Sequence, residues 1–105
     1  MDRLDEIVTD LEQRLGADSG LGLEVKLELG PGRFVFVDAR AVPHAVARKD
    51  EPADCCITLS ESTYRALANG TLDVESALRA RRISISGEQD AARRFLDMLT
   101  AAERR

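Results

Sequence analysis

DCCITLS at 54–60, ESTYRALANG at 61–70, TLDVESAL at 71–78 and RRISISG at 81–87 decide the fold of this 105-residue chain. The first run predicts a strand over 54–59, and Ser60 is a natural helix cap with Glu61 in the first turn behind it. In the helix that follows, Tyr64, Leu67 and Ala68 share one face, and Asn69-Gly70 end it. Asp73 then caps a shorter helix carrying Val74, Ala77 and Leu78. Residues 82–86 read as a strand with Ile83 and Ile85 inward and Ser84 outward. Ser86-Gly87-Glu88-Gln89 has the form of a capping box, Ser86 reaching three residues to Gln89.

Working outward, residues 88–102 form a last helix that buries Ala92, Phe95, Leu96 and Leu99, with Met98 at its margin. At the other end, Leu4, Ile7, Val8, Leu11 and Leu15 recur on one face of a helix over 2–15. Leu23, Val25, Leu27 and Leu29 alternate with Glu24, Lys26 and Glu28, which predicts a half-buried strand over 21–29. Gly30-Pro31-Gly32 makes a turn into a second strand over 33–39. There Phe34 and Phe36 face one way and Val35 and Val37 the other, so this strand is expected to lie more centrally than the first. Val42, His44 and Val46 suggest a third strand within 40–48. The element order predicts an α+β domain over 1–105: a five-stranded antiparallel or mixed sheet with helices on one face.

Composition narrows the function. The net charge is −4, and aromatic residues make up 4% of the chain, which argues against a nucleic-acid partner. The acidic start, Met1-Asp2-Arg3-Leu4-Asp5-Glu6, has no apolar targeting stretch, so a soluble, cytoplasmic protein is expected. Cys55 and Cys56 are the only cysteines, and on a strand they point to opposite faces. With one histidine, His44, they do not make a zinc site, and no nucleophile and base stand at catalytic spacing. The chain is read as having no cofactor, no metal and no catalytic residue.

The stretch from Asp54 to Gly87, extended from Val25 to Leu99, resembles the sterol carrier protein type 2 family. Asp54, Gly70, Leu72, Ala77, Leu78, Ile83, Ile85, Gly87 and Leu99 occupy the family's positions. Arg79 departs from it where an apolar residue is usual, and Arg81 where glycine is common. The resemblance implies non-enzymatic binding or transfer of a fatty acid, fatty acyl, sterol-like or polyisoprenoid lipid in an apolar cavity. The cavity's sheet wall is expected from Val25, Leu27, Phe34, Phe36, Ile57, Ile83 and Ile85, and its helical wall from Tyr64, Leu67, Leu72, Leu78, Phe95 and Leu99. The helix over 2–15 or the last helix is expected to move to admit the lipid.

Arg79, Arg81 and Arg82, at the junction of helix and strand, are expected to clamp an anionic head group. Transient contact with a membrane surface is expected alongside. A second reading makes the domain an interaction module with a collapsed cavity. It would serve a lipid or ubiquinone biosynthesis complex through a protein partner or a second copy of itself.

Overall fold

Glu24 donates its backbone N–H to the Asp54 carboxylate (2.9 Å) and accepts from the Asp54 N–H (3.1 Å), which draws together two strands thirty residues apart. The parallel pair made there is the centre of the sheet. A computed structural model describes residues 3–15, 22–40 and 44–101. In chain order the elements are α1 (Arg3–Leu15), β1 (Glu24–Glu28), β2 (Phe34–Asp38), β3 (Ala45–Ala47) and β4 (Cys55–Leu59). There follow α2 (Glu61–Ala68), α3 (Val74–Arg79), β5 (Ile83–Gly87) and α4 (Gln89–Ala101). The strand order is β3-β2-β1-β4-β5, with β1 and β4 parallel and the other neighbours antiparallel. The α+β architecture and the mixed five-stranded sheet agree with the sequence expectation.

The register assigns the faces. Val25 pairs with Val37 and Leu27 with Val35; across the parallel pair, Leu27 meets Ile57; Ile57 in turn meets Ile85, and Leu59 meets Ile83. These residues form one face, and α1, α2 and α4 set Leu4, Ile7, Leu11, Tyr64, Leu67, Phe95 and Leu99 into the same core. Lys26 pairs with Phe36 and Glu28 with Phe34, so both phenylalanines point to the opposite face. This corrects the expectation that Phe34 and Phe36 share a wall with Val25 and Leu27. It also corrects the expected central place of β2, since β1 lies between β2 and β4. The second apolar face of β2 is covered by lysine: Lys26 Nζ stands 5.2 Å from the Phe34 ring centre and Lys49 Nζ 5.1 Å from that of Phe36. A cation over a ring and its aliphatic stem shield apolar surface without a neighbouring layer.

Both middle helices begin as their caps predict. Ser60 Oγ accepts from the Thr63 N–H (3.1 Å), and Asp73 Oδ1 from the Ser76 N–H (2.9 Å). Both also end alike. After α2, Gly70 has φ +81°, its N–H reaches the Leu67 carbonyl, and Thr71 N–H reaches Ala66. After α3, Arg81 has φ +58°, its N–H reaches Leu78, and Arg82 N–H reaches Ala77. This paired closure needs a left-handed residue, a place that suits glycine. An L side chain there costs ~1–2 kcal/mol, and glycine returns part of that through the unfolded chain's freedom. Arg81→Gly is therefore expected to stabilise the fold by about 0.5–1 kcal/mol. A melting temperature unchanged or lowered would show that the Arg81 side chain contributes contacts that offset its backbone.

The capping box expected at 86–89 is not formed. Ser86 lies inside β5 opposite Cys56. The chain enters α4 through Gly87 at φ +87°, and the Glu88 N–H donates to the Asp54 carbonyl (3.0 Å). Among the described residues the third strand spans Ala45–Ala47, and the expected contribution of Val42 lies outside them.

Candidate functional site

The boundary between sheet and helices is the surface the sequence nominates, and its walls consist of hydrocarbon. From the sheet come Val25, Leu27, Ile57 and Ile83; from α2, Tyr64 and Leu67; from α4, Phe95 and Leu99. Amphipathic spacing turns each helix onto the sheet, and strict alternation turns each strand toward the helices. Val25, Leu27, Ile57, Leu67 and Phe95 are 0% exposed, and Tyr64 and Leu99 1%. A side chain beside a gap wide enough for water would keep accessible surface, and these keep essentially none. The two layers interlock at these positions.

Burial loosens at Val8, Val46 and Met98, and along one edge of the sheet. Leu72, Leu78 and Ile85 are partly buried against the core. Leu72 precedes α3; Leu78 and Ile85 flank the turn from α3 into β5, the last strand of the sheet. That turn holds Arg79, Ala80, Arg81 and Arg82, all exposed. The three arginines named in the sequence are thus brought together at a rim where apolar residues come near solvent.

A second feature lies between α1 and α2. A groove of about 550 Å³ is lined by Asp5, Glu6, Asp10 and Arg14 of α1 and by Tyr64 and Arg65 of α2, among others. Beneath it the Tyr64 hydroxyl donates to Asp10 Oδ2 (2.6 Å), and Arg14 Nε donates to the same oxygen (2.8 Å). Arg65 reaches Glu6 at 3.3 Å. The groove presents largely apolar surface between charged side chains, and the contacts of Tyr64 and Arg14 with Asp10 latch the two helices together beneath it. Tyr64 was legible as an amphipathic residue, but its partner Asp10 was not. Asp10 sits among the acids of α1, 54 residues away.

Burial first, and the neighbouring Asp10 carboxylate second, hold the Tyr64 hydroxyl protonated far above the usual tyrosine range. The unfolded chain ionises near pH ~10. A raised folded-state value means that the latch contributes its stability fully below that pH and loses it progressively above. Tyr64 is the only tyrosine and there is no tryptophan, so phenolate absorbance reports it alone. On alkaline titration, phenolate is expected to appear together with loss of circular dichroism. Ionisation near pH ~10 with the fold intact would contradict the buried latch.

Other reactive groups have structural roles. Cys55 faces the core and Cys56 the other side, both as free thiols. Burial pushes the Cys55 thiol up to about 11, which keeps it a neutral packing group. No group of three or more metal-ligating side chains occurs among the described residues. Nor is any described helix long and apolar enough to cross a membrane.

A mixed sheet sealed on one face by helices, with a hydrocarbon interior and a cationic rim, defines a class of small α+β domain built around an apolar layer boundary. The model of the SCP-2 sterol transfer family matches residues 3–100, and the chain belongs to that family. Among solved structures, the fold is similar to Aedes aegypti Sterol Carrier Protein-2, determined in complex with palmitate. The identity is 16%, with 96% of this chain and 97% of that one covered at a TM-score of 0.74. It is similar to a ubiquinone synthesis protein, UbiJ-SCP2, at 16% identity, covering 96% and 91% with a TM-score of 0.71. It is also similar to the sterol carrier protein domain 2 of Helicoverpa armigera, at 21% identity, covering 95% and 87% with a TM-score of 0.71. No curated protein sequence matches the chain.

Proposed function

We propose that this chain binds and transfers a lipid with a single long aliphatic chain, held between the sheet and the helices, without chemical conversion. The observation that carries the reading is the hydrocarbon boundary, which approaches the surface at Leu72, Leu78 and Ile85 beside three exposed arginines. Family membership supports it, and the palmitate held by the Aedes aegypti relative supports an acyl chain as guest. Val25, Leu27, Ile57, Ile83, Ile85, Tyr64, Leu67, Leu72, Leu78, Phe95 and Leu99 would line the guest. Arg79, Arg81 and Arg82 would meet its carboxylate or phosphate.

The packed boundary is then the ligand-free state, and a guest must open it. A space of ~300 Å³ costs about 7 kcal/mol at ~24 cal/mol per Å³. An acyl chain returns ~0.8 kcal/mol per buried methylene, so chains shorter than about nine carbons do not repay the opening. The element that yields is α3 and not α1 or α4. It buries Val74 and Ala77, whereas α4 fully buries Phe95, Leu96 and Leu99. Left-handed residues at Gly70 and Arg81 bracket α3 and serve as its hinges.

Displacement of a fluorescent fatty acid by saturated acids of increasing length tests this. Affinity is expected to rise about fifteenfold for each added pair of methylenes once the threshold is passed. A response independent of chain length would refute the reading. The gap-free packing at Val25, Leu27, Ile57, Leu67 and Phe95 favours a second reading, an interaction module with a permanently closed interior. The ubiquinone synthesis protein of similar fold is compatible with that role. Under it, native mass spectrometry would find no bound lipid of any class offered.

A further inference from the structure

Ion pairing is unevenly distributed over this molecule. Lys26, Arg33, Arg40, Arg48, Arg65 and Arg93 each stand within 3.3 Å of a carboxylate. Arg79, Arg81 and Arg82 pair with no described residue, although the chain carries an excess of acids. Among the described residues, the unbalanced positive charge is therefore gathered in one turn of four consecutive exposed residues. One cation there would serve the C-terminal carbonyls of α3. Three exceed that need, and one of them holds a backbone conformation that disfavours any side chain.

We propose that this turn is the docking surface by which the protein settles on an anionic lipid bilayer. Arg79, Arg81 and Arg82 would lie on the phosphate plane with Leu78 at its edge. The proposal rests on the carrier reading and adds where the carrier meets its source. Charge complementarity selects an anionic partner, and size selects a bilayer. A protein interface needs roughly 800 Å² from each side with buried anchors, and four residues at a chain reversal do not supply it. A lipid surface needs only a few unpaired cations, because its charge is spread over a plane and each arginine adds independently. Docked in this way, the turn sets the loosely buried edge at Leu78 and Ile85 against the membrane, and α3 opens where a lipid is at hand.

Vesicle flotation with the full chain tests the proposal. The wild type is expected to float with phosphatidylcholine vesicles containing about 30 mol% phosphatidylserine, and not with phosphatidylcholine alone. About 0.5 M salt should release it. The variant Arg79→Gln/Arg81→Gln/Arg82→Gln is expected to lose about a hundredfold in partitioning. The charge-matched variant Arg40→Gln/Arg48→Gln/Arg65→Gln, whose arginines are paired in the fold, should stay within about threefold of the wild type. Circular dichroism confirms that both are folded.

Equal losses in the two variants, or no flotation with anionic vesicles, overturn the proposal. Displacement by soluble polyglutamate ahead of vesicles would identify an acidic protein as the occupant and overturn it too. The fatty-acid length series, run in solution without vesicles, stands or falls separately. Docking can therefore fail while the carrier reading survives.

Discussion

Gly87→Ala is expected to lower the unfolding free energy by at least about 3 kcal/mol, although it adds one methyl group. Gly87 has φ +87°, where a side chain costs ~1–2 kcal/mol before any contact is considered. A Cβ would stand 2.6 Å from the Asp54 carbonyl oxygen and 3.0 Å from the Cys55 Cα. Both are backbone atoms, the first just before β4 and the second within it between β1 and β5, so neither can turn aside. Relief requires that β5 slide from β4, or that the Glu88 N–H leave the Asp54 carbonyl it now bonds at 3.0 Å. Either shift carries α4 away from the sheet. Urea denaturation followed by circular dichroism measures the loss. A change below about 0.5 kcal/mol, the range of an ordinary surface substitution, would mean that the turn into α4 is built differently.

Phe95→Ala should cost about 3–5 kcal/mol, a large share of the ~5–15 kcal/mol available to a small domain. Phe95 is fully buried in the same core cluster as Ile57, Leu67 and Leu99, so its ring is replaced by a void and not by solvent. That void tests the carrier reading from the inside. Part of the opening cost is already met in the variant, so a long-chain fatty acid should raise its melting temperature more than it raises the wild type's. Equal shifts, or none in either protein, would place lipid contact away from the boundary. If the variant does not fold, Leu67→Ala removes less hydrocarbon from the facing helix and gives the same comparison.

Several elements were legible because a local rule governs them. The alternation over 23–29 gave β1 its faces, Ser60 and Asp73 gave the starts of α2 and α3, and the apolar spacing in 92–99 gave α4 its inward side. Arg81 was legible only as a departure from the family's usual glycine; its left-handed backbone was not. What escaped depends on partners distant in sequence. Both faces of β2 are apolar, so only the register with Lys26 and Glu28 reveals which face meets the helices. Ser86 matches a capping pattern, yet pairing with Cys56 holds it in a strand. The latch from Tyr64 to Asp10 joins elements whose adjacency no local pattern encodes. Among the site residues, the family resemblance nominated the hydrocarbon wall, and the run of charge nominated the arginines. Neither could say whether the layers touch, because that depends on shapes that meet only in three dimensions.

The parallel pairing of β1 with β4 has a consequence for biosynthesis. When β1, β2 and β3 have left the ribosome, one side of β1 still lacks its neighbour, since β4 is encoded some thirty residues after it. Until then a row of bare amides and carbonyls, next to Val25 and Leu27, is open to pairing with another nascent chain. Asp54, which fastens itself to Glu24 and later to Glu88, arrives at the moment that hazard ends. Slow translation across the 48–54 segment would prolong the exposure, and rapid delivery of β4 would shorten it.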